Sequence, residues 1–170
     1  MGDYDRRVYD PSWKDLITVE ADVLGSTEVE KGDLLFLDKV DGLRDRGTST
    51  ASWTLFPLSA VSSVTNTLEA NRTLAKTYFY GVAAWHSDSG VTEKLAVHCS
   101  GLFKYPLKNS RKVRPFYRVQ PAGSGTTLYA QKVQVATSGS DYIGAAAEYA
   151  DFASDVEFVL STEFARYIYL

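Results

Sequence analysis

Cysteine and histidine are scarce in this 170-residue chain: Cys99 stands alone, and His86 and His98 are the only histidines. One cysteine excludes an intrachain disulfide, and Cys99 reads as a small buried hydrophobe on the apolar face of a strand. Neither histidine stands in an HExxH or HxH pattern or in a Cys/His cluster, so neither a bound metal nor an organic cofactor is expected. Positive charge is also short. Eighteen Lys and Arg against 21 Asp and Glu leave a formal net charge of −3. Nucleic-acid affinity rests on many Lys and Arg contacts to phosphate, so no direct nucleic-acid partner is expected. Long apolar runs are missing as well. The longest, residues 78–85, is far short of the roughly 20 residues a bilayer-spanning helix needs. The opening MGDYDRRVYDPSWKD has no apolar targeting core, so no membrane partner is expected either. There is no GxSxG and no P-loop, and Gly123-Ser124-Gly125 lacks the third glycine and following helix of a dinucleotide loop.

What is present is a foldable, tyrosine-rich chain. Hydrophobic residues make up 45% and charged residues 23%, which argues against disorder over most of the length. A chain of this size buries roughly 70% of its unfolded surface, enough for one core without staples. Aromatics reach 13% with eleven Tyr, side chains suited to pleated surfaces and to contacts with one wet and one apolar end.

Residues 78–107, YFYGVAAWHSDSGVTEKLAVHCSGLFKYPL, organise the reading. Residues 78–85 form an apolar strand with Gly81 inside it, a mark of a bulge or a close backbone approach. After a turn at 87–90, Leu95, Val97 and Cys99 alternate with Ala96, His98 and Ser100, the period of a half-buried strand. Gly101 interrupts, and Phe103, Tyr105 and Leu107 resume, so the unit reads as a three-strand meander. A weaker copy follows: residues 142–147, Tyr-Ile-Gly-Ala-Ala-Ala, echo residues 80–84, Tyr-Gly-Val-Ala-Ala, and Val156, Phe158 and Leu160 alternate as residues 95–100 do. The echo suggests two similar β units sharing one core.

Elsewhere, residues 17–23 alternate as a first strand, Lys31-Gly32-Asp33 is a turn, and residues 34–37 and 53–56 are short strands around a surface loop at 41–52. Residues 65–77 are the one helical stretch, with Asn66 or Thr67 as cap, Glu69 early and Lys76 late, as the helix dipole prefers. Residues 116–120 and 128–135 pair as a hairpin around a turn at 121–125. The fold class is mainly β: a single antiparallel β-barrel or sandwich-like domain over residues 16–170, with one short helix and an extended N-terminal arm at 1–15. Two segments look adhesive. One is the arm, with Tyr4, Arg6, Arg7, Tyr9 and Trp13. The other is a basic stretch read as a solvated loop, with Lys108, Arg111, Lys112 and Arg114.

Catalytic groups do not converge in the sequence. His86-Ser87-Asp88 holds three triad residue types, but neighbours in one turn cannot form the nucleophile–base–acid line. Asp151 with Asp155, or Glu28 with Glu30, are carboxylate pairs that only a suitable cleft could turn into a glycosidase centre. The residues alone describe a mainly β binding or structural protein and no enzyme.

The order of segments then adds a resemblance. Gly32-Asp33 before an apolar strand, Gly81-Val82-Ala83, the run Val97 to Gly101 with Phe103 and Pro106, a strand pair around a Gly-rich turn, and Ile143-Gly144-Ala145 before a last strand resemble the small β-barrel decoration, or cement, proteins of tailed-bacteriophage capsids. The likeness spans residues 30–162. It implies a non-enzymatic structural virion protein, made in the host cytoplasm, that sits on the outer capsid surface as a homotrimer and bridges major capsid subunits. The adhesive residues above would then be the capsid contacts. The rival readings are a glycan- or protein-binding β module using Trp53 or Trp85 as a stacking platform, and a small hydrolase.

Overall fold

The computed structural model describes residues 18–23, 27–39, 53–63, 67–91, 94–136 and 141–161. The expected arm at 1–15 and loop at 41–52 lie outside these residues. The elements, in order, are β1 (Thr18–Asp22), β2 (Leu34–Lys39), β3 (Trp53–Pro57), a 3-10 helix (Leu58–Ser63), α1 (Leu68–Thr77), β4 (Phe79–Ala83), β5 (Lys94–His98), β6 (Ser100–Val113), β7 (Arg118–Ser124), β8 (Thr127–Ala136), β9 (Gly144–Ala146) and β10 (Ala150–Ser161). The described residues are mainly β with one α-helix, as the sequence predicts. The first five strands form a sheet in the order β1-β5-β4-β2-β3, and the last five a closed barrel in the order β10-β6-β8-β7-β9.

The two halves follow one plan. In each, the second strand pairs with the third and fourth, and the fifth with the fourth and first, all antiparallel. The first strand's line meets the third in parallel, at Val23–Leu55 in the sheet and at Leu107–Val133 in the barrel. The sheet is therefore rolled until its edges touch, where the barrel is closed. Register matches as well as order: Val19–Val97 corresponds to Phe103–Phe158, Leu35–Gly81 to Val119–Gly144, and Phe36–Phe56 to Gln120–Gln134. The echo between residues 80–84 and 142–147 is thus part of a duplicated five-strand unit, with Gly81 equivalent to Gly144. The exception is the link between third and fourth strands, where the first half inserts the 3-10 helix and α1.

Equivalent positions fill equivalent interiors. Val23 and Leu107, Leu35 and Val119, Tyr80 and Ile143, and Val97 and Phe158 are all buried. The outer faces differ. Leu34, Phe36, Phe56, Phe79 and Val82 on the rolled sheet join the barrel's own core in one continuous cluster. Their counterparts on the barrel are Arg118, Gln120, Gln134, Tyr142 and Ala145, all exposed or half-buried. Fully burying one Leu or Phe contributes about 2 kcal/mol, whereas burying an unpaired Arg or Gln is unfavourable. This difference decides which face lies inside.

The inserted helix clamps the halves together. Thr67 caps it, its Oγ1 accepting from the Ala70 N–H at 3.2 Å. From its buried face Arg72 Nε donates to the Pro121 carbonyl at 3.2 Å and Asn71 Nδ2 to the Thr126 carbonyl at 2.7 Å, and exposed Thr73 donates through Oγ1 to the Asp141 carboxylate at 3.0 Å.

Three expectations are corrected. The 78–107 stretch is not one meander: β4 and β5 pair, but β6 crosses into the barrel and pairs with β10. The basic stretch is not a loop, because β6 runs on to Val113, with register shifts against β10 on the way. The hairpin turn is not at 121–125, since β7 extends to Ser124 and the chain reverses at Gly125-Thr126. Pro121 is tolerated in β7 because the register shifts between it and Gly123, the irregular ladder position where a missing N–H does least harm.

Candidate functional site

The duplicated plan isolates one anomaly. In the rolled sheet the turn before the second strand carries Gly32 with φ +84°, and its N–H donates to the Ala83 carbonyl at 2.9 Å. In the barrel the same turn carries Phe116 with φ +69°, and its N–H donates to the Ala146 carbonyl at 2.8 Å. Phe116 is the one non-glycine residue with positive φ among those described. A side chain in the left-handed region strains the backbone by about 1 kcal/mol. Phe116 gains no burial in return, being 87% exposed. Phe116→Gly is therefore expected to raise stability by about 1 kcal/mol, read as a higher midpoint in urea unfolding.

The surroundings of Phe116 are aromatic and charged. Val113 pairs with Ala150 beside it, so the turn and the β9–β10 loop share one end of the barrel. Phe152, at a register shift in β10, is 89% exposed, and Tyr149 is 59% exposed. Lys112 Nζ lies 2.7 Å from Asp151 Oδ1 and 5.5 Å from the Tyr149 ring centre, and the Tyr149 hydroxyl donates to Asp151 at 3.0 Å. The hydrogen bond to Asp151 holds the Lys112 ammonium above the usual lysine range. Hydrogen bonds from Lys112 and then Tyr149 hold the Asp151 carboxyl below the usual carboxylate range. The fourth exposed large apolar side chain among the described residues, Trp85 at 57%, lies in the matching β4–β5 loop of the rolled sheet with Lys31 Nζ 5.6 Å from its ring centre.

Of the expected contact residues, Tyr4, Arg6, Arg7, Tyr9 and Trp13 lie outside the described residues. Lys108 and Arg111 tie the barrel together, Lys108 donating to the Gly123 carbonyl and Arg111 to the Val135 carbonyl at 2.8 Å. Lys112 and exposed Arg114 belong to the aromatic end. Phe116, Tyr149 and Phe152 were not anticipated. The echo could not have marked Phe116, because the inserted 3-10 helix and α1 put Gly32 and Phe116 at unequal distances from it in the two halves.

The groups weighed for chemistry stand apart. His86 is exposed with its ring 5.5 Å from that of Trp85, and His98 is half-buried with its ring 6.1 Å from that of Phe103. Ser87 is buried, its backbone bridging Val29. Asp151 and Asp155 are each tied to a different lysine, Lys112 and Lys104. Among the described residues no group of three or more His, Cys, Asp or Glu could hold a metal ion. Cys99 is fully buried, and burial pushes its thiol up to about 12. At pH 8 its thiolate fraction is then about one in ten thousand. Native protein should resist iodoacetamide while urea-unfolded chain labels readily. Rapid stoichiometric labelling of native protein would contradict the sealed interior. Compared with known proteins, the chain matches no family model, no curated protein and no solved structure.

Proposed function

We propose that this chain is a capsid decoration protein of a tailed bacteriophage. In this reading it is a non-enzymatic component of the virion's outer surface that works as a homotrimer and stabilises the head by bridging major capsid subunits. The observation that carries a binding role is the exposure of Trp85, Phe116, Tyr149 and Phe152 on loops and bulges of a closely packed β body. Large aromatics ringed by Lys, Arg and Asp are the composition of a protein-binding surface. The partner comes from the resemblance, whose segments coincide with fixed points of the duplicated plan: Gly32-Asp33 enters β2, Gly81-Val82-Ala83 lies in β4, and Ile143-Gly144-Ala145 leads into and lies in β9. A glycan platform is less favoured, because Lys31 already covers one face of the Trp85 ring.

Function then follows from multivalency. A rigid body that grips two or three capsid subunits gains effective concentration at each further contact, so modest patches add up to firm retention. The test is to mix purified full chain with undecorated phage heads. Co-sedimentation with the heads and a higher temperature of head rupture are expected, and absence of retention at any ratio would contradict the proposal.

A further inference from the structure

We infer that the barrel end bearing Phe116, Tyr149 and Phe152 is a second grip on the capsid, set at the far end of a stiff strut from the arm, and that it docks on a capsid-subunit surface offering an apolar pocket beside a carboxylate. The inference rests on the proposed function and adds to it a surface, a span and the chemistry of what is held.

The span follows from where the chain enters and leaves the β body. β1 begins at Thr18, opposite His98, and β10 ends at Ser161, opposite Ser100. The segment carrying Tyr4, Arg6, Arg7, Tyr9 and Trp13 therefore joins the body beside the crossing from β5 to β6. From that crossing β6 and β10, at 14 and 12 residues the longest strands described, run side by side to Val113–Ala150. The length of β10 separates the two ends, about 35 Å at a strand's rise per residue. Phe103, Tyr105, Val156 and Phe158 bury the inner face of this ribbon, and Lys104 pairs with Asp155 at 3.1 Å on its outer face. A body with a grip at each end of such a strut can hold two subunits at once.

The chemistry follows from the aromatic end itself. Phe116 and Phe152 are almost wholly exposed, and Phe116 keeps a left-handed backbone that glycine adopts without strain. A large exposed side chain kept in spite of that strain is explained if it is an anchor buried only in a complex. Asp151 takes the hydrogen bonds of Lys112 and Tyr149 and also feels the charge of Arg114. The nearby Glu148 is turned to the Glu157 backbone N–H, which donates to its Oε1 at 2.9 Å. Two cations sharing one carboxylate give this end positive charge beside its aromatics, and an acidic group beside an apolar pocket complements it.

The experiment uses purified full chain and undecorated heads. Phe116→Gly with Phe152→Ser should weaken retention about 100-fold, because losing one of two linked grips forfeits the effective concentration it supplied, while the urea midpoint is not lowered. A photo-crosslinking phenylalanine analogue at position 152 should form adducts with the major capsid subunit on decorated heads. The same analogue at position 13 should mark a different site on that subunit. Retention of the double variant as tight as that of the full chain, or adducts from position 152 confined to this chain, its arm or a second copy, would overturn the inference and leave the capsid reading standing. Full chain that is not retained at all overturns that reading and this inference with it.

Discussion

Alanine at Gly81 or at Gly144 is expected to destabilise the protein by about 3 kcal/mol or more, enough to leave much of the chain unfolded. A Cβ at Gly81 would overlap the His98 backbone carbonyl oxygen and come within 2.8 Å of Val97 Cγ1. A Cβ at Gly144 would overlap the Val159 carbonyl oxygen and the Phe158 ring. His98 corresponds to Val159 and Val97 to Phe158, so the two halves share the same point of closest approach. The obstacle is backbone held in register by Val82–His98 and Ala145–Val159, so neither side can give way cheaply. Gly90 is the control. It has φ +99° and nothing within 4 Å of an added Cβ, so alanine there strains only its own backbone, by about 1 kcal/mol. Urea titration separates the cases through the unfolding midpoint at unchanged slope. A Gly81→Ala protein as stable as Gly90→Ala would remove the close-approach argument.

Removal of residues 1–15 is expected to abolish retention on heads while leaving the β body folded. The segment's sequence carries no apolar period that would supply core positions, so circular dichroism and the unfolding midpoint should be those of the full chain. Tyr4, Arg6, Arg7, Tyr9 and Trp13 are the residue types that dominate interface hot spots. Losing one of two linked contacts forfeits the effective concentration it supplied, about 100-fold or more in retention. The basic residues of the 108–114 stretch divide by geometry. Neutralising Lys108 or Arg111 removes bonds inside the barrel and should lower stability. Neutralising Arg114, which is exposed, should instead slow attachment, chiefly at low salt. Truncated chain that decorates heads as well as the full chain would rule the arm out as the anchor.

Much of this fold was legible because burial has a period. The alternations at 17–23, 95–99 and 156–160 became β1, β5 and β10, and the cap and charge signals around Thr67, Glu69 and Lys76 marked α1. The Tyr-Ile-Gly-Ala echo was a true trace of duplication, since the close approach at Gly81 and Gly144 forbids any side chain there. The errors arose where partners far away in sequence decide. Residues 108–112 are exposed, so nothing in their composition distinguishes a strand on the barrel wall from a loop. Closure at Leu107–Val133 is a long-range parallel contact with no local signature. The aromatic end escaped notice because exposure belongs to the assembled fold: Phe116, Tyr149 and Phe152 have the same residue types as the core.

The most direct measurement of the central claim is cryo-electron microscopy of phage particles that contain this chain. The account predicts density for the rolled sheet and barrel on the outside of the shell, in threefold-related copies, each spanning more than one major capsid subunit. Density inside the shell, on the tail, or bound to a single capsid subunit without bridging would contradict it.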